Sequence, residues 1–422
     1  MSRRSFLHQA LLGSALAAGG LSLHGCGLLG AEPSPGAGAP DGGRIGPLGS
    51  EAPPGRLVPG AVEGRILVVI DLQGGNDGLS TLVPYADGRY HDLRPNLAID
   101  PDDVLPIDDE VALHPSLARL AERGVAVVEG VGPVDGDLSH FNMADRWQRG
   151  DVNGTDHSFR TGVLGRLTDA VDNGSPLAGF SMGGFTPYLV NERAAVMALD
   201  DPGRLWMLRP TAWGEMDAFR RLLARFDSTE TAPAVTDSYQ RLLEIAERLD
   251  PGEDEVDWED PMLTDGGDLG WQLAVAADLL IAGVGTRVVY AATGDYDTHA
   301  DHGYRQLANL AEVDAAVDGF LGRIDEAGLA DRDLVATVSE FGRRVPENGS
   351  GLDHGTASTM LLAGAGLEGR YGEPPDLGDL DPDDNLRTTV PFDRYLASLA
   401  EDWLGVEAAT VLAGAPEPLG LV

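Results

Sequence analysis

The chain has 422 residues, with 30 basic side chains against 68 acidic ones and a formal net charge of −38. It contains no lysine, and its single cysteine is Cys26. These counts exclude Schiff-base, pyridoxal-phosphate, Walker-loop and Ser-Lys chemistry, which need an ε-amine. They also exclude an internal disulfide and any cysteine-ligated or cysteine-nucleophile site in the body. The acid excess argues against nucleic acid and anionic membrane surfaces as partners, because both are bound through cations. It is otherwise an ordinary solvated surface, and 43% hydrophobic residues suffice for a buried core.

Residues 1–26 read as an export signal. Ser2-Arg3-Arg4-Ser5-Phe6-Leu7 is a twin-arginine pattern, and an Ala/Leu/Gly-rich stretch from Ala10 to Leu23 follows it. That stretch is short and Gly-rich for a membrane span. The expected partner is the twin-arginine translocation machinery, and the expected location is the periplasm or cell envelope. Leu23-His24-Gly25-Cys26 has the Leu, Gly and Cys of a lipoprotein box, with His24 out of pattern. Cleavage with or without a lipid on Cys26 therefore stays open, and the membrane is expected only through the signal or that lipid. Residues 27–62 are rich in Gly, Pro and Ala, a composition for a flexible tether. Residues 63–422 form the expected folded domain.

Within that domain, apolar runs rich in β-branched residues alternate with helical spacing. Ile66–Asp71, Val125–Val128, Arg287–Ala292 and Leu334–Val338 read as strands. Leu117–Arg123, Met216–Phe226, Asp237–Arg248, Leu269–Ala282 and Tyr304–Ala327 read as helices. Alternation of this kind predicts a mostly parallel sheet covered on both faces, an α/β/α sandwich. The acidic runs Glu253–Asp260 and Asp376–Asp384 read as solvated loops rather than calcium loops.

Ligands of open parallel sheets bind outside the carboxyl ends of the strands. The first strand leads to Asp77 and the second to Ser139-His140. The third leads to Asp297-Thr298-His299, and the fourth to Ser339-Glu340-Phe341-Gly342-Arg343 and then Asp353-His354. Singly, each has a plain structural explanation: Asp77 could close a turn, and Ser139 could cap a helix from Phe141 to Arg149. Together they bring carboxylates and imidazoles to one rim, the donor set of a hydrolytic metal site.

These motifs resemble the twin-arginine-exported bacterial family known as domain of unknown function 1501. The matching pieces are GGNDGLSTLVPY (Gly74–Tyr85), LHP (Leu113–Pro115), SHFNMADRWQRG (Ser139–Gly150) and TGVLGRL (Thr161–Leu167). YDTH (Tyr296–His299), SEFGR (Ser339–Arg343), EN (Glu347-Asn348) and GLDHG (Gly351–Gly355) follow in order. The resemblance implies the alkaline-phosphatase-like and sulfatase-like superfamily, a three-layer α/β/α sandwich holding one or two metals. It names no substrate. By this resemblance Asp77 fits the first metal-binding Asp, Asp297 and His299 the later Asp/His pair, and Asp353-His354 the Asp-His step. Glu340 and His354 divide the roles of that step, and Ser139 is the nucleophile candidate by order. Arg343, Arg166 or Arg94 would replace the lysine such sites often use.

The expected function is therefore metal-dependent hydrolysis of a small phosphate or sulfate ester. Asp77, Asp297, His299, Glu340, Asp353 and His354 are the expected ligands of a divalent metal: zinc, calcium or manganese. Ser139 or a metal-activated water attacks, His140 serves as acid or base, and Arg343 binds the anion. The alternative is a non-catalytic exported binding or assembly protein on the same fold. A serine hydrolase built on Ser139 lacks the G-x-S-x-G elbow.

Overall fold

A strand buried on both faces needs a continuous apolar run, and ILVVIDL supplies one: β1 (Ile66–Leu72) is buried along its whole length. The computed structural model describes residues 64–154, 159–175, 177–199 and 259–422. The expected leader and tether, the helices Met216–Phe226 and Asp237–Arg248, and residues 253–258 of the first acidic run lie outside the described residues.

After β1 come three short strands, β2 (Leu82–Val83), β3 (Leu105–Pro106) and β4 (Ala112–Leu113), then β5 (Ala126–Gly132), β6 (Gly179–Met182) and β7 (Val196–Leu199). The second half adds β8 (Val288–Thr293), β9 (Asp333–Val338), β10 (Ser358–Gly364), β11 (Gly369–Gly372) and β12 (Val390–Pro391). The main sheet runs β11-β5-β10-β9-β1-β8-β6-β7, with β12 paired to β5. β1 is parallel to β8 and β9, β6 to β7 and β8, and β5 to β11 and β12. Among the described residues, only β10 runs antiparallel within this sheet, to β5 and β9.

The side-chain period of two sorts β1 between two cores. Ile66, Val68, Ile70 and Leu72 pack with residues of the helices Gly267–Ile281 and His302–Glu326. Leu67 and Val69 pack on the other face with the helices His140–Arg149, Val163–Ala170 and Phe392–Ser398. The expected three-layer α/β/α sandwich is the architecture observed.

The four expected strands and the three described helices form within a few residues of their expected bounds. The antiparallel β10 was not foreseen, and it positions the site. Because β10 starts on the rim where β9 ends, the chain between them stays at the carboxyl edge, so residues 339–357 line it. Arg343 and His354 form an antiparallel bridge inside that connection.

Candidate metal centre

His140 opens the helix His140–Arg149, with Ser139 as its N-cap. Trp147 fixes that helix: its ring stacks on Phe392 at 4.4 Å, and its Nε1 donates to the Glu340 carbonyl at 3.1 Å. One side chain thus ties the helix bearing His140 to the strand end bearing Glu340. Asp297 and His299 follow β8. Gly74, at φ +116°, lets that turn approach closely: a Cβ there would lie 2.4 Å from the Asp297 nitrogen. Three non-glycine residues with positive φ, Leu138, Asp295 and Asp301, flank these ligands, a placement typical of functional sites.

His140 Nε2 lies 3.0 Å from His354 Nε2 and 3.6 Å from Asp297 Oδ1, and His354 Nε2 lies 3.3 Å from the same oxygen. His299 Nε2 adjoins this triangle, 3.0 Å from His354 Nε2 and 3.2 Å from Asp297 Oδ1. Behind them, every Nδ1 has an acceptor. His140 Nδ1 meets Glu340 Oε1 at 2.7 Å, His354 Nδ1 the Leu138 carbonyl at 2.8 Å, and His299 Nδ1 Asp353 Oδ1 at 3.2 Å. Acceptors at Nδ1 hold the proton there and turn the Nε2 lone pairs inward. With those tautomers the Nε2 lone pairs and the Asp297 oxygen face one another, an arrangement that a shared proton or a metal ion would relieve.

Protons and metal ions compete for that place. The hydrogen bond to Glu340 raises the basicity of His140. Burial lowers that of His354. Burial pushes Asp297 upward, but the hydrogen bond and charge of Arg343 outweigh it and hold the carboxyl below its ordinary value. The His140, Asp297 and His354 group fits a divalent ion by chemistry and by spacing. Two ligands about 2.0–2.1 Å from a tetrahedral ion stand about 3.3–3.4 Å apart, close to the three edges observed.

The structure redistributes several expected roles. His140, expected as acid or base, stands in the ligand group. Glu340, expected as a ligand, instead accepts from His140 and from the Gly74 N–H at 2.9 Å. Asp353 likewise stands behind His299 and accepts from Asn348 at 3.0 Å. Asp77 is not in this group. It is buried in a bidentate pair with Arg94 at 2.5 and 3.0 Å, with His302 Nε2 at 3.3 Å.

Arg343, expected to bind the anion, is buried and spends its donors inside the protein. Nε and Nη1 bond the carbonyls of Gly75 and Leu352 at 2.8 and 3.1 Å. Nη2 meets the Gly74 carbonyl, the Tyr296 carbonyl and Asp297 Oδ1. Arg166 is equally committed, to the carbonyls of Val411, Thr161 and Arg149. Ser139 has no capping hydrogen bond from its side chain. Both nitrogens of the adjacent His140 are engaged elsewhere, so no base faces that hydroxyl from there. The role of His140 was legible in one signal: it is a histidine at the end of a β-strand loop on the same rim as the other three motifs.

No curated protein matches the chain in sequence. Among solved structures it is similar to the PsFucS1 sulfatase from Pseudoalteromonas sp., at 12% identity and a TM-score of 0.36, over 85% of this chain and 74% of that one. It is similar to the phosphonate monoester hydrolase SpPMH from Silicibacter pomeroyi, at 10% and 0.39, over 85% and 76%. A third is the alkaline phosphatase from the Antarctic bacterium TAB5, at 8% and 0.33, over 73% and 94%. Likeness this distant says nothing about chemistry. A family model matches residues 223–389, a span that contains Asp297, His299, Glu340, Asp353 and His354 but not His140. That model is described as "Protein of unknown function (DUF1501)", and over those residues the chain is similar to it.

Proposed function

We propose that this protein is an exported, metal-dependent hydrolase of a phosphate or sulfate ester. The observation that carries the reading is the convergence of His140 Nε2, His354 Nε2 and Asp297 Oδ1, with an acceptor behind each imidazole. Two imidazoles and one carboxylate suit zinc or manganese better than calcium, which takes oxygen ligands. A divalent ion held there supplies Lewis-acid polarisation of an ester oxygen and activation of water.

The chain's own residues do the rest. Glu340 and the Leu138 carbonyl keep the ligand tautomers fixed, and Arg343 orients Asp297 from below. His299, exposed and oriented by Asp353, stands beside the ligand group with its Nε2 toward Asp297. Export rests on the Arg3-Arg4 pair and the apolar stretch behind it. Replacing both arginines by uncharged residues is expected to retain the protein in the cytoplasm.

Elemental analysis of purified protein tests the site, combined with hydrolysis of p-nitrophenyl phosphate and sulfate. About one metal per chain is expected, with activity lost to chelator and in His354→Ala. Bound metal without activity on either ester, or on a wider ester panel, would favour the non-catalytic binding protein. No metal would end the reading.

A further inference from the structure

We propose that Arg344 is the side chain that grips the anionic group of the substrate, an inference that rests on the hydrolase reading above. In this acidic chain the guanidinium groups are heavily subscribed. Arg94 pairs with Asp77, Arg305 with Asp295, and Arg370 with Glu129 and Asp108. Arg343 and Arg166, the other candidates for an anion, are consumed by backbone carbonyls. Arg344 differs. Its Nε is buried with no hydrogen-bond partner, and among the described residues its side chain makes no ion pair. Nε itself is closed to solvent, so an anion arriving from outside would be held by the terminal nitrogens of a cation that no carboxylate neutralises.

Its place in the fold is the right one. The Arg343–His354 bridge sets Arg344 opposite Asp353, and the Arg344 N–H donates to the Asp353 carbonyl at 2.9 Å. Residues opposite in an antiparallel bridge project to the same face. Arg344 therefore lies beside the carboxylate that holds His299, at the edge of the ligand group. A guanidinium there can take two oxygens of a tetrahedral group in its planar fork. The ligand class is a terminal phosphoryl or sulfuryl group with oxygens to spare beyond the one at the metal.

The test uses the metal-loaded full-length protein and two probes, inorganic phosphate and inorganic sulfate, titrated calorimetrically. Arg344→Gln is expected to weaken binding of the preferred anion at least tenfold and to leave metal affinity within about twofold. Arg344→Lys should fall between the two. The probe that the parent binds more tightly identifies the anion. In turnover, KM for the corresponding monoester should rise while kcat changes less. Unchanged anion binding in Arg344→Gln with metal in place would overturn the inference while leaving the hydrolase reading intact. Loss of metal along with anion affinity, in both variants, would also overturn it, because Arg344 would then act only by supporting Asp353 and His299. A parent that binds no metal would instead remove the hydrolase reading itself.

Discussion

Two clusters in this protein use the same residue types and do opposite things. In the first, Asp77 and His302 are buried with Arg94 among them. In the second, Asp297 meets His140, His299 and His354 at the rim, with Glu340 and Asp353 behind. The first is closed electrically: one guanidinium neutralises one carboxylate in a bidentate geometry and also holds the carbonyls of Val345 and Arg344. The second collects three carboxylates, and Arg343, which pairs with Asp297, is shared with four carbonyls. The proposed metal site is thus the Asp/His cluster whose carboxylates outnumber the arginine charge paired with them.

The largest expected effect comes from unbalancing the closed cluster. Arg94→Met would leave Asp77 buried without its partner, which costs about 3–5 kcal/mol. Urea unfolding at pH 7 measures it, and the metal content per folded molecule should be unchanged. The pair also has a pH signature. Burial pushes Asp77 up, but Arg94 and His302 outweigh it and hold the carboxyl far below its ordinary value. Its stabilisation is therefore complete above the unfolded carboxylate value near ~4 and is lost as pH falls further.

A third carboxylate sharpens the contrast from the other side. Asp333 is fully buried, neither of its oxygens has a partner among the described residues, and burial raises its pKa to about 7. Here the folded value lies above the unfolded one, so stability falls as pH rises from about 4 to about 7 and is level beyond. The total is up to roughly 4 kcal/mol. Asp333→Asn should flatten that slope in unfolding free energy measured across the same range. An unchanged slope would assign it to other groups.

Filling the receptive cluster is the next effect in size. Zinc or manganese at one hundred times its Kd should stabilise the parent by about 2.7 kcal/mol, read as a rise in Tm. Asp297→Asn should blunt that response, and in chelator it should be somewhat less stable than the parent, since it removes the charge that pairs with Arg343. Asp77→Asn, by contrast, should lose stability and keep the metal response. Equal responses in Asp297→Asn and the parent would remove Asp297 from the site. The smallest effect is outermost: Glu340→Gln keeps an acceptor for His140 but loses its charge, and should weaken metal binding about 10–100-fold.

Much of this was legible in the chain. Uninterrupted runs such as ILVVID require two covered faces, and the strand–helix alternation then requires a parallel sheet and a carboxyl rim. Those local rules bring Asp297, His299, Glu340 and His354 to one rim. The assignment of roles was not legible. Asp77 follows a strand as Asp297 does, and nothing in GGNDG tells that Arg94, 17 residues later, will close on it. Nor does the adjacent pair Arg343-Arg344 announce that one is buried on carbonyls and the other left open.

The sequence by itself determined the layers, the rim and the donor types, because period and composition act over a few residues. Only the tertiary structure decided which carboxylate met a guanidinium, which histidine turned Nε2 inward, and which arginine stayed unpaired. Those outcomes depend on distances of a few ångströms between segments hundreds of positions apart, such as His140 and His354. At that range an opposite charge, or its absence, separates a structural pair from a binding site.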